Sequence, residues 1–92
     1  MDRKIRWGIL ATGSIADTFA RDLKHSHHGT LAGVASRTLA RAQEFCDMHG
    51  GRACEDYAAL LARDDIDAVY IATPHDTHVT WAHRALEAGK AT

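Results

Sequence analysis

The sequence predicts an α/β fold, a parallel sheet covered by helices on both faces, and three observations carry that prediction. Strand-like runs alternate with helix-like runs along the chain. The first apolar strand, Lys4-Ile5-Arg6-Trp7-Gly8-Ile9-Leu10, enters a tight turn, Ala11-Thr12-Gly13-Ser14-Ile15-Ala16, and then an amphipathic helix. No repeat, low-complexity stretch or Pro/Gly-rich linker intervenes, and Pro74 is the sole proline, so residues 1–92 read as one unit.

Each element follows from its residues. Ile15, Ala16, Phe19, Ala20 and Leu23 recur at helical spacing and predict the buried face of the first helix, which ends in the polar cluster Lys24-His25-Ser26-His27-His28-Gly29. Thr30 to Ser36 reads as a second buried strand. A helix from about Thr38 to His49 presents Leu39, Ala42, Phe45, Cys46 and His49 on one side; Thr38 is its N-cap and Gly50-Gly51 its stop. A short strand near Ala53 leads to a helix over about Asp56 to Ala62, with Tyr57, Leu60 and Leu61 inward. Asp67 to Ala72 is a short β-branched strand. A last helix, about Thr77 to Ala88, packs Val79, Ala82, Ala85 and Leu86, and Gly89 closes it. A crossover helix is useful only when it feeds another parallel strand, so the architecture is expected to be incomplete at Thr92.

Size and charge narrow the function. A chain of 92 residues makes one small domain, which buries only roughly 60–65% of its unfolded surface. With 46% hydrophobic and 25% charged residues, the composition is that of a globular protein. A net charge of −1 gives no basic field for nucleic acid and no basic amphipathic helix for a membrane. Neither partner is expected. Cys46 and Cys54 lack C-x-x-C spacing, and no signal peptide or spanning segment is evident, which makes the cytoplasm the expected compartment.

The turn carries the first chemical signal. Ala11-x-Gly13-x-x-Ala16 fits G-x-G-x-x-G/A at two of its three positions: Gly13 lets backbone approach a pyrophosphate, and Ala16 lets the helix lie close to the strand. The helix N-terminus offers free N–H groups to the anion. Ala11 departs from the pattern, because alanine is disfavoured at positive φ, and this predicts a turn geometry that alanine tolerates. A tight β–α turn without a ligand is the plain alternative. Gly8 and Gly13 also have Walker-loop spacing, but Ser14 stands where the required lysine would be, which argues against an ATPase.

The second strand ends in Ser36-Arg37-Thr38. Dinucleotide sites that select NAD place an acid about 20 positions after the glycine turn, on the ribose 2′-hydroxyl. No carboxylate is present here. A guanidinium and hydroxyls suit a 2′-phosphate, so NADP(H) is expected to be preferred, with NAD(H) as the lesser cofactor. Arg37 is the main determinant, assisted by Ser36, Thr38 and Arg41, unless Arg37 is simply a solvated loop residue. The same missing acid argues against a methyltransferase.

Taken together, Arg6 to Ala16, Val34-Ala35-Ser36-Arg37 with Ala40-Arg41-Ala42, Ala72-Thr73-Pro74-His75-Asp76-Thr77-His78, and Ala85-Leu86-Glu87-Ala88-Gly89-Lys90 resemble the N-terminal half-domain of the Gfo/Idh/MocA oxidoreductases. The similarity covers essentially the whole chain and leans toward the NADP-using, dihydrodiol dehydrogenase-like branch. It implies a Rossmann-type sheet. It also implies a nicotinamide-side role for Ala72, Thr73, Pro74, His75 and His78, with His75 where asparagine is common in the family. Members continue into a strand ending in Glu-Lys-Pro, whose lysine helps proton transfer, and into a separate substrate domain; neither segment lies within these residues. No catalytic residue is therefore assigned.

Seven histidines raise the question of a metal. His25, His27 and His28 share a loop without a fixed second shell, and His75 with His78 suits a cofactor rim better than a chelate, so no metal is expected. His49, Cys46, Cys54, Met48 and Trp81 read as packing residues. The resulting expectation is the cofactor half of an NADP-dependent oxidoreductase. Its parent, expected to be a homo-oligomer, would exchange hydride with a hydroxyl or carbonyl carbon of a small polar sugar-, cyclitol- or diol-like substrate. The 92-residue chain itself is expected to bind nucleotide weakly or not at all and to be inactive. The competing reading is a non-catalytic dinucleotide-sensing module that acts through a partner chain.

Overall fold

The computed structural model describes residues 4–73 and 75–92, and the side chains of all of these except 75 and 76. Eight elements alternate: β1 (Ile5–Leu10), α1 (Ser14–Lys24), β2 (Gly29–Ala35), α2 (Leu39–His49), β3 (Arg52–Cys54), α3 (Tyr57–Leu61), β4 (Ala68–Ile71) and α4 (His75–Glu87). The sheet order is β3-β2-β1-β4, with all pairs parallel. Parallel strands need crossover helices, and these cover both faces. Ile9, Val34, Ala16, Ala20, Ala42 and Phe45 form the core under α1 and α2. Leu10, Ala35, Leu60, Leu61, Ile66, Val69, Ile71 and Ala85 form the other, under α3 and α4.

Neighbouring strand positions feed opposite cores, as in Ile9/Leu10 and Val34/Ala35, which is the period-two alternation of a sheet buried on both sides. The β1–β2 register shifts between Trp7 and Gly8, opposite the extra residue Ala32. The Arg63 side chain lies over this region, bonded to the Ala32 carbonyl, the Cys54 thiol and Asp65.

The helix faces depart from the expected ones at several positions. Ile15 is 64% exposed; α1 instead buries Ala16, Ala20 and Leu23, because small alanines let the helix sit close to β1 and turn Ile15 aside. Leu39 is exposed at the start of α2, where the helix has not yet reached the sheet, and Met48 is exposed rather than packed. The largest change is in α4. It begins at His75 rather than Thr77, an offset common at helix ends. Val79 and Leu86 face out at 68% and 61% exposure. The inner face carries Trp81, Ala82 and Ala85, since Trp81 has the largest apolar surface to bury and meets Tyr57 edge-on at 4.9 Å.

The ends of the elements are polar solutions to unpaired backbone. Gly50 and Gly51, at φ of +91° and +88°, terminate α2. After α4, Gly89 N–H donates to the Leu86 carbonyl and Lys90 N–H to that of Ala85, a Schellman closure with Gly89 at φ +80°. This closure directs the buried Lys90 side chain to the Arg63 carbonyl at 2.6 Å. Ala91 then pairs in parallel with β4: Val69 N–H donates to Ala91 O, and Ala91 N–H to Asp67 O. Asp67 also accepts a two-pronged bond from Arg6, each contact 2.9 Å, which joins the start of β4 to β1.

Candidate dinucleotide site

From the central β1, the chain crosses to β2 on one side and, later, to β4 on the other. A crevice therefore opens beyond the carboxyl ends of β1 and β4, the place where open α/β sheets bind ligands. The predicted turn lies there. Gly13 is the N-cap of α1 with extended backbone, and no side chain caps this helix. Its first intrahelical bond runs from Asp17 N–H to Gly13 O at 2.9 Å, so the amides of Ser14, Ile15 and Ala16 precede the helical ladder. By contrast, Thr38 Oγ1 accepts from Arg41 N–H in α2, and Asp56 Oδ1 accepts from Ala59 N–H in α3. A Cβ placed on Gly13 would meet nothing within 4 Å, so the approach to those amides is open. The acid of this first turn, Asp17, is already engaged by His49 at 2.6 Å and Arg21 at 3.1 Å.

Ala11 corrects the expectation for the turn. Its φ is +82°, so the turn retains the left-handed geometry that suits glycine and places alanine in it. The conformation is held by the hydrogen bond from Ala11 N–H to Ala35 O, 2.8 Å long.

The end of β2 adjoins the turn. Ser36 is buried and its Oγ lies 2.9 Å from Thr12 Oγ1, which ties it to the turn, and it lines the same recess as Arg37. Thr38 accepts the α2 cap bond with its oxygen and keeps its hydroxyl hydrogen to donate. Arg37 is exposed, and the first turn of α2 contains no acid. The two candidate arginines line different recesses. Arg41 shares one with Thr12, Glu44, Phe45 and Met48. Arg37 lies in another, of about 330 Å³, with Ser36, Asp56, Tyr57, Ala58 and Trp81. Burial raises the Tyr57 phenol above its ordinary range while the positive charge of Arg37 opposes the shift, so Tyr57 is protonated at neutral pH.

At the end of β4, Ala72 N–H donates to Leu10 O at 3.0 Å and so brings the segment beside the turn. Thr73 is buried, and its Oγ1 has no partner among the described residues. Pro74 and the side chain of His75 lie outside the described residues. His78 is exposed in a groove along β4 with Trp7, Phe19, Tyr70 and Thr92. Asp56, Tyr57 and Trp81 line the recess of Arg37, where the sequence reading did not place them. Their signal is weak in sequence, because Trp81 reaches the recess from a helix that packs back over the sheet.

The family described as "Oxidoreductase family, NAD-binding Rossmann fold" matches residues 5–92. The chain belongs to the Gfo/Idh/MocA oxidoreductase family. Within this family, the chain is similar to D-xylose 1-dehydrogenase (NADP(+)) of Hypocrea jecorina, 37% identical with 94% of this chain and 25% of that protein covered. It is also similar to trans-1,2-dihydrobenzene-1,2-diol dehydrogenase of Bos taurus, at 38% identity over 95% of this chain and 27% of the relative. Among solved structures, KijD10, a 3-ketoreductase from Actinomadura kijaniata in complex with NADP and TDP-benzene, superposes with a TM-score of 0.93 at 39% identity, covering 96% of this chain and 27% of that one. The chain thus spans about a quarter of the length of these relatives. Among its described residues, no helix is long and apolar enough to cross a membrane.

Proposed function

We propose that this Gfo/Idh/MocA chain is the cofactor-holding part of a cytoplasmic, homo-oligomeric oxidoreductase that prefers NADP(H) to NAD(H). The observation that carries the reading is the uncapped start of α1, open at Gly13 and set beside an arginine-bearing end of β2, where α2 has no acid in its first turn. The residues fit such a cofactor. Amides of Ser14, Ile15 and Ala16 would hold the pyrophosphate. Arg37, with the Thr38 hydroxyl, would hold the 2′-phosphate, which a carboxylate in that place would repel. The orphan hydroxyl of Thr73 is available as a donor or acceptor at the nicotinamide side. Bound there, the nicotinamide supplies hydride exchange with a carbonyl or hydroxyl carbon.

Relatives named for D-xylose and for a dihydrodiol support a sugar-, cyclitol- or diol-like substrate. The proton-transfer lysine and the substrate pocket would come from residues beyond this chain, so the chain alone should show no turnover. The test is calorimetric or NMR titration of the 92-residue chain with NADP+ and NAD+. We expect weak binding, with NADP+ favoured, and loss of that preference in Arg37→Ala. Equal binding of both cofactors by the unaltered chain would remove Arg37 from its role. NADPH-dependent reduction by the chain alone would overturn the assignment of catalysis elsewhere.

A further inference from the structure

His49 is a buried residue whose packing does not account for it. It ends α2, is 8% exposed and lies against the Phe45 ring, with centroids 4.6 Å apart. Its Nδ1 is buried and has no partner among the described residues, so the imidazole is seated there at a cost that an apolar side chain would not incur. The polar contact it does make crosses to another helix: Nε2 lies 2.6 Å from Asp17 Oδ1 in the first turn of α1. An ionised carboxylate only accepts, so Nε2 carries the hydrogen. The other carboxylate oxygen, Oδ2, is held by Arg21 Nε at 3.1 Å.

That acid stands in an unfavourable place for a pyrophosphate. The positive end of α1 that would hold the ligand also attracts Asp17, and a bare carboxylate there repels the ligand and draws on the same field. We propose that His49, together with Arg21, masks the Asp17 carboxylate and so keeps the start of α1 receptive to the pyrophosphate of the cofactor. His49 lines a recess with Lys4, Ser26 and Gly29, at the edge where the strands begin. It is therefore a positioning residue, which acts on the cofactor through Asp17. The inference rests on the dinucleotide reading above but goes beyond it, because it assigns cofactor affinity to a buried side chain outside the turn and the recess of Arg37.

The experiment titrates NADP+ into the 92-residue chain and its variants, follows the Gly13 and Ser14 amides by NMR, and records each melting temperature separately. His49→Leu fills the space but leaves Asp17 with Arg21 alone. We expect it to weaken NADP+ about two- to fivefold, the effect of one charge at a helix end. Adding Asp17→Asn to His49→Leu removes the charge that His49 masked, so affinity should return to that of the unaltered chain although the contact between the helices is still missing. The loss in His49→Leu should also shrink at high salt, which screens a charge but does not repair a packing defect. Arg21→Gln tests the same carboxylate from the solvent side, at a residue whose side chain is 69% exposed and whose replacement leaves the core intact. It should weaken NADP+ as well, again with recovery in combination with Asp17→Asn.

Unchanged affinity in a folded His49→Leu, or a loss that Asp17→Asn does not restore, would overturn the proposal. Should His49→Leu not fold, unchanged affinity in Arg21→Gln overturns it equally. The two readings fail differently. If NADP+ moves the Gly13 and Ser14 amides to the same extent in every variant, the dinucleotide reading stands and the masking of Asp17 falls. If those amides do not respond in the unaltered chain, both fall.

Discussion

Ala11 is the residue at which local preference and native geometry disagree most openly. At φ +82° its methyl group crowds the following carbonyl, which costs about 1–2 kcal/mol relative to glycine. Glycine would return part of that through a more flexible unfolded chain, about 0.4–1 kcal/mol. Ala11→Gly should therefore raise stability by about 0.5 kcal/mol, and Ala11→Val should lower it, as read from urea midpoints at constant slope. Gly13 sits one step from the converse case. Its φ of −124° suits any residue and its Cβ direction is open, so Gly13→Ala should leave the melting point nearly unchanged while weakening NADP+ binding. Equal binding by that variant would mean that the ligand does not approach this backbone. Asp65 provides a pH signature: the hydrogen bond from Arg63 holds its carboxyl below its ordinary value. Its contribution is then present at neutral pH and lost as pH falls below about 4. Because Asp65 is exposed, the loss is modest, and Asp65→Asn should flatten the acid limb of the stability profile.

At the scale of elements, the joint between α3 and the end of α4 is the most exposed to a single change. Lys90 Nζ donates to the Arg63 carbonyl just beyond α3 in a partly buried bond, and Lys90 itself is buried. Lys90→Met keeps the aliphatic stem and leaves that carbonyl unpaired, which should cost about 1–3 kcal/mol; an unchanged denaturation midpoint would show that water reaches it instead. The elements themselves were legible in the sequence, since each hydrophobic run has one period and α2, α3 and α4 each have a capping side chain or a glycine stop. Thr38, Gly50 and Gly89 all do what their chemistry suggests. What sequence could not supply was rotation. Val79 and Leu86 have the apolar character and spacing of a buried stripe, but Trp81 outweighs them once Tyr57 is in place, and Tyr57 belongs to a different element. The site divided along the same line. The turn and Arg37 are local features and could be read, whereas the recess is assembled from β2, α3 and α4.

For the whole molecule, the two edges of the sheet differ in kind. The edge where strands begin is tied by the Arg6–Asp67 fork, by Lys90, and by the Ala91 ladder beside β4. The edge where strands end has the strained Ala11, the uncapped α1 and the unpartnered Thr73 hydroxyl. The outer side of β4 pairs only with Ala91 among the described residues and adjoins an apolar groove, so the 92-residue chain should associate as its concentration rises. A monomer at every concentration in sedimentation experiments would refute that. The polar ties around Arg6 and Asp67 have one more consequence. Amide protons of Trp7 and Val69 should exchange with deuterium only through global opening, and those of residues 11–16 through small local fluctuations. The molecule is thus clamped at its foot and loose at its rim, so that tightening the rim can be left to whatever binds there.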